Sequence, residues 1–119
     1  MNTKKKAKSP TRTLTVPREQ WDLPVAVHSD GTLVSLKDFT RTKAPALSFS
    51  QLSQDQQSEL VAARIDQQAK FEVAMIGAGI VDKQRAIQEV RARTPVGRTL
   101  IEIEQRMINR MLNRAKQGE

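Results

Sequence analysis

The strongest constraint lies near the C-terminal end of this 119-residue chain. There Val96, Leu100, Ile103, Met107, Ile108, Met111, Leu112 and Ala115 recur at three- and four-residue spacing, the period of one apolar helix face. Thr94-Pro95 opens the run, with Thr suited to the N-cap and Pro to the first helical position. The pattern predicts an amphipathic helix over about 95–116, ending near Gly118. At about 1.5 Å per residue such a helix exceeds 30 Å in length. The rest of the chain must therefore be arranged largely as its cover. Leu100, Met107 and Met111 lie along one side, and Arg106, Arg110 and Arg114 follow one another at intervals of four on the opposite face.

Two further helices are expected upstream. Ser53-Gln-Asp-Gln56 has the form of a capping box, with Asp55 in the first turn where the helix dipole favours an anion. The helix it opens should run over about 53–76, its wide arc of Leu60, Val61, Ile65, Ala69, Phe71, Val73, Met75 and Ile76 touching more than one neighbour. Gly77-Ala-Gly79 would end it, and Asp82 would cap a short helix over about 83–93 with Ala86, Ile87 and Val90 inward.

Before these helices, residues 24–36 read as a β-hairpin about Asp30-Gly31, a pair suited to a two-residue type I′ turn. That turn would pair Val27 with Val34 and Val25 with Leu36, gathering all four on one face. A lone two-stranded hairpin is marginal in water, so it should lean on the helices or recruit a third strand, for which Thr13–Val16 is the best candidate. Residues 37–50, with Pro45 and scattered Ser and Thr, read as a connecting loop. The fold class expected is mainly α with a small β-hairpin (α+β): a disordered basic tail over 1–17, then one small domain over 18–119 holding the hairpin and a two- to three-helix bundle.

Two motifs invite sharper readings. Val73-Ala-Met-Ile-Gly-Ala-Gly-Ile-Val81 resembles the opening strand and glycine turn of a dinucleotide-binding unit, with Glu102 and Glu104 near the place of a ribose-binding acid. Asp82 stands where the third glycine belongs, and too little chain follows Glu104 to build the remaining strands. The reading kept is a helix–Gly-Ala-Gly–helix turn. Residues 82–112 also have the outline of a helix–turn–helix, but Glu102 and Glu104 in the early turns of the second helix would repel phosphate where a recognition helix reads bases.

Chemistry is limited by composition. The chain has no Cys, no Tyr and a single His, His28, which removes thiolate metal sites, disulfide scaffolds, thiol catalysis and multi-histidine metal centres. No nucleophile–base–orienter set can be assembled, so neither an enzyme nor a resident cofactor or metal is expected, and no small-molecule substrate. The formal charge of +7 is concentrated at the two ends. Residues 1–18 carry Lys4, Lys5, Lys6, Lys8, Arg12 and Arg18 with no acid, and residues 80–119 are also basic, whereas residues 19–79 are net acidic. No apolar run approaches the ~20 residues needed to span a bilayer, and no secretory leader pattern follows the N-terminal lysines. Cytoplasm is the expected compartment, without membrane association.

Two functional classes remain. The first is a non-enzymatic interaction or adaptor protein, a component of a larger assembly, docking a protein partner or a second copy of itself through its amphipathic C-terminal helices, its hairpin or both, with Leu100, Met107, Met111 and Trp21 as the contact residues. The second is a nucleic-acid-associated protein that clamps the phosphate backbone with Lys4, Lys5, Lys6, Lys8 and Arg12 of the tail and Arg106, Arg110 and Arg114 of the last helix.

Overall fold

The computed structural model describes residues 16–41 and 46–117. Their order is α1 (Arg18–Trp21), β1 (Pro24–Val27), β2 (Leu33–Ser35), α2 (Leu36–Arg41), a 3₁₀ turn (Phe49–Gln51), α3 (Gln54–Gln67), β3 (Glu72–Met75), β4 (Gly79–Asp82), α4 (Lys83–Ala92) and α5 (Pro95–Gln117). The described residues form an α+β fold, 60% helical, with two separate two-stranded antiparallel sheets.

Helix α5 spans the expected residues, and Gly97 N–H donates to the Thr94 hydroxyl at 3.1 Å, the N-cap bond its sequence implies. Helix α3 opens on the expected capping box: Gln56 N–H donates to the Ser53 hydroxyl, and Ser53 N–H donates to the Gln56 side chain. Asp82 caps α4 by accepting from Arg85 N–H at 2.9 Å. The three helices pack on one another, and Leu60, Val61, Ile65, Val90, Leu100 and Ile108 between them are all but inaccessible.

Four expectations are corrected. Helix α3 stops at Gln67 rather than continuing to Ile76, and residues 72–82 form a second hairpin. Phe71, Val73 and Met75 are spaced by two and each is half-buried, while Glu72, Ala74 and Ile76 between them are exposed. That is the strand period, hidden within an apolar run long enough to pass for a helix face. The Gly-Ala-Gly turn therefore joins two strands, with Gly77 and Gly79 at positive φ and Ala78 N–H donating to Met75 O.

The first hairpin forms about the expected turn but in a different register. Gly31 alone takes a positive φ (94°), Gly31 N–H donates to His28 O, and His28 N–H donates to Thr32 O. This is a three-residue loop, a type I turn followed by a left-handed glycine. The extra loop residue moves the pairing by one position: Val27 faces Leu33 and Ala26 faces Val34, with an irregularity between Pro24 and Ala26. Leu33 is consequently exposed, whereas all four residues of β1 are buried.

The supposed loop over 37–50 contains α2, whose Asp38 N–H donates to the Ser35 hydroxyl, and the 3₁₀ turn, capped reciprocally by Ser48 and Gln51. Both carry a Ser-x-x-acid/amide start signal, too short in span to show a helical period. The added support for β1 comes from Leu47, which bridges to Val27. Of the proposed third strand only Val16 is described; it lies in the core at 8% exposure, so the domain begins at least two residues before Arg18. Residues 1–15, the remainder of the expected tail, lie outside the described residues.

Candidate interaction surfaces

The residues expected to meet a partner divide into two groups. Leu100 and Met111 are 1% and 2% exposed within the chain's own core, so neither offers a surface to a partner. The supply of cover is larger than the sequence suggests, because α2 joins α3 and α4 in packing against α5. Trp21 and Met107 are half-buried and pack against the core from its rim. Trp21 is the last residue of α1.

At roughly 100° per residue, Ile103, Met107, Arg106, Arg110 and Arg114 fall on one outward strip of α5, so the arginines share Met107's side of the helix instead of lying opposite it as expected. Ile103 is 38% exposed. Arg106 and Arg110 are exposed and Arg114 half-exposed, and none of the three is ion-paired among the described residues. The arginines of α3 and α4 behave differently: Arg64 meets Glu104, Arg85 meets Glu89 and Arg91 meets Glu59. Lys4, Lys5, Lys6, Lys8 and Arg12 lie outside the described residues.

Sequence reasoning missed the second surface. In the hairpin β3–β4, Val73 pairs with Val81, Ala74 with Ile80, and Glu72 with Asp82. Val81 is fully buried, and Phe71, Val73, Met75 and Ala78 pack against the core. The opposite face turns away from the core and carries Ala74, Ile80 and the carboxylates Glu72 and Asp82. Ile80 is 61% exposed, and Ile76 at the turn is 107% exposed. Period-two spacing in 71–76 was the available signal.

Also missed was a buried charge. Arg64 on α3 is 0% exposed. Its Nε donates to Glu104 Oε1 at 2.9 Å, Nη1 to the Pro24 carbonyl at 2.9 Å, and Nη2 to Gln20 Oε1 at 3.0 Å. One guanidinium thus ties α3 to α5, β1 and α1. Glu104, read from sequence only as a carboxylate that would repel phosphate, is its counter-ion.

Two open clefts flank Ala69 and Lys70. One, of about 420 Å³, is lined by Phe71, Glu72, Asp82, Lys83 and Gln84; the other, of about 480 Å³, by Glu19, Gln20, Asp22, Leu23 and Gln67. The first brings Lys70 and Lys83 beside Glu72 and Asp82, the second Lys70 beside Glu19 and Asp22. His28 lies beside the first hairpin turn and is not among the residues lining either cleft. Among the described residues there is no cluster of His, Asp and Glu able to hold a metal ion, and no helix long and apolar enough to cross a membrane.

Among the described residues, two titrating groups have displaced pKa values, and both serve local structure. Accepting from Thr32 in the first hairpin turn lowers the Asp30 carboxyl below its ordinary value. Accepting from the Thr94 hydroxyl lowers that of Glu89 at the α4–α5 corner. Compared with protein-family models, with curated proteins and with solved structures, the chain matches none.

Proposed function

We propose that this is a non-enzymatic interaction protein, a component of a larger assembly that docks through its second hairpin and the outward strip of α5. One observation carries the reading: Ile76 and Ile80 stand exposed on a hairpin whose other face is packed into the core. Fully burying a large aliphatic side chain is worth about 1.5–3 kcal/mol, and contiguous exposed apolar surface marks interaction sites. The residue chemistry favours binding over catalysis, since the chain contains one His and neither Cys nor Tyr.

A second reading rests on a different observation, the three arginines of α5 that lack a carboxylate partner among the described residues. With the N-terminal lysines they would clamp a phosphate backbone, binding without reading sequence.

The double variant Ile76→Asp/Ile80→Asp separates the two. It should keep the wild-type circular dichroism and melting temperature, because both side chains already face water. From nuclease-treated extract of its native source it should lose the protein that wild type retains. Recovery of nucleic acid alone by both forms would favour the phosphate reading and defeat the first.

A further inference from the structure

The last three turns of α5 repeat a four-residue unit: Arg106-Met-Ile-Asn109, Arg110-Met-Leu-Asn113 and Arg114-Ala-Lys-Gln117. In the first two units the middle residues, Met107, Ile108, Met111 and Leu112, pack on the core. The outer residues, Arg and Asn, turn to water. Arg106, Asn109, Arg110 and Asn113 are exposed, Arg114 is half-exposed, and none of the five takes part in a hydrogen bond or ion pair among the described residues. Folding gives no reason for the asparagines. Asn is a poorer helix former than Ala, Gln or Lys, and a side chain that bonds nothing within the chain offsets none of that cost.

What such a face recognises follows from its hydrogen-bonding groups. An Asn amide offers a donor beside an acceptor and matches adenine N7 and N6; an Arg offers two parallel donors and matches guanine O6 and N7. Residues 106, 109, 110 and 113 stand at i, i+3, i+4 and i+7, a spacing at which one helix holds four side chains to base edges in a single major groove. Each repeat advances about 6 Å along the helix, close to two base-pair steps of about 3.4 Å. The major groove of B-form DNA admits an α-helix, whereas that of duplex RNA is too narrow for side chains to read.

The carboxylates that count against such a reading in the sequence lie elsewhere. Glu104 is buried against Arg64. Glu102 is exposed but stands a turn before the first repeat, and residues 105–118 contain no acid. The helices packed beside α5 do not reverse its sign: α2 carries Lys37 and Arg41 with Asp38, and on α3 Asp55 and Glu59 are already engaged by Arg93 and Arg91.

We propose that the Arg–Asn face of α5 reads base edges in the major groove of B-form DNA, with Arg106 and Arg110 on guanines, Asn109 and Asn113 on adenines, and Arg114 on phosphate. This rests on the nucleic-acid reading above and adds sequence preference to it; docking through the β3–β4 hairpin is a separate contact.

Selection from a randomised DNA-duplex library by the full chain, followed by fluorescence anisotropy, tests it. The recovered duplexes should share a short motif of guanine and adenine. They should bind about tenfold or more tighter than a scrambled duplex of the same composition, the discrimination expected of bidentate base contacts. Asn109→Ala/Asn113→Ala leaves the charge untouched, so it should abolish that preference while binding the scrambled duplex as wild type does. Arg106→Lys/Arg110→Lys keeps the charge but not the two-pronged donor, and should do the same. All four positions are exposed, so circular dichroism should match wild type; Asn109→Ala alone provides the test, as a partial loss of preference, should a double variant disturb the fold. Equal binding to every DNA duplex, unchanged in the asparagine variant but lost in Arg106→Glu/Arg110→Glu, would overturn base reading and leave the phosphate reading standing. Binding to an RNA duplex as tight as to the recovered DNA would also overturn the major-groove assignment. No binding to any duplex would overturn this proposal and the phosphate reading together, leaving the hairpin contact.

Discussion

Glu104→Ala should cost about 3–5 kcal/mol of folding stability, the range for removing one partner of a buried ion pair. The cause is what remains. Arg64 is fully inaccessible and would keep its contacts to Pro24 O and Gln20 while losing its counter-ion. A guanidinium cannot discard its charge by deprotonating, so the chain would have to open and admit water. Salt should change the loss little, since a buried pair is poorly screened. The double variant Arg64→Met/Glu104→Leu removes both charges and should recover most of the loss, because replacing a buried pair by apolar residues of similar volume is often neutral. Urea denaturation of the three proteins checks this. A single variant within 1 kcal/mol of wild type would mean that Arg64 is solvated after all.

Gly97→Ala should lower the melting temperature by about 10 °C, corresponding to about 2 kcal/mol in a domain of this size. A Cβ at this position would lie 1.9 Å from the Glu89 carbonyl oxygen and 2.9 Å from Val90 Cα. Both are backbone atoms of α4, so no side chain can swing aside. The corner between α4 and α5 must open instead, and overpacking of this kind costs about 1–3 kcal/mol or more. Alanine's better helix propensity returns about 1 kcal/mol of that. Gly97→Val, larger and β-branched, should not fold at 37 °C. Thermal melts followed by circular dichroism decide it, and an alanine variant as stable as wild type would show that the two helices do not meet so closely.

These two positions also mark where the sequence was legible and where it was not. The three main helices were readable at their starts because each begins with a local signal: Ser53 with Gln56, Asp82, and Thr94 with Pro95. Nothing local announces that Arg64 faces inward, because its partners Glu104, Pro24 and Gln20 all lie 40 or more residues away. Gly97 within a helical pattern reads as a mild weakness, and only the path of α4 beside it makes a side chain there intolerable. The second hairpin was lost for another reason. An apolar run over 71–76 satisfies a broad helical arc and a strand alternation alike, and tertiary pairing with Gly79–Asp82 settles the choice. The same error displaced the candidate site. With 72–76 assigned to a helix, the apolar surplus fell on Leu100 and Met111, which are buried in the chain's own core, while Ile76 and Ile80 went unread as an exposed pair.

Docking through that exposed pair is the central claim, and photo-crosslinking tests it most directly. A photoreactive amino acid in place of Ile76, with Ser50 on the exposed side of the 3₁₀ turn as control position, would be irradiated in cells of the native source. The expected result is a discrete protein adduct from position 76, absent at position 50 and unaffected by nuclease. No adduct at 76, together with nucleic-acid crosslinks from the same group placed at Arg110, would contradict it.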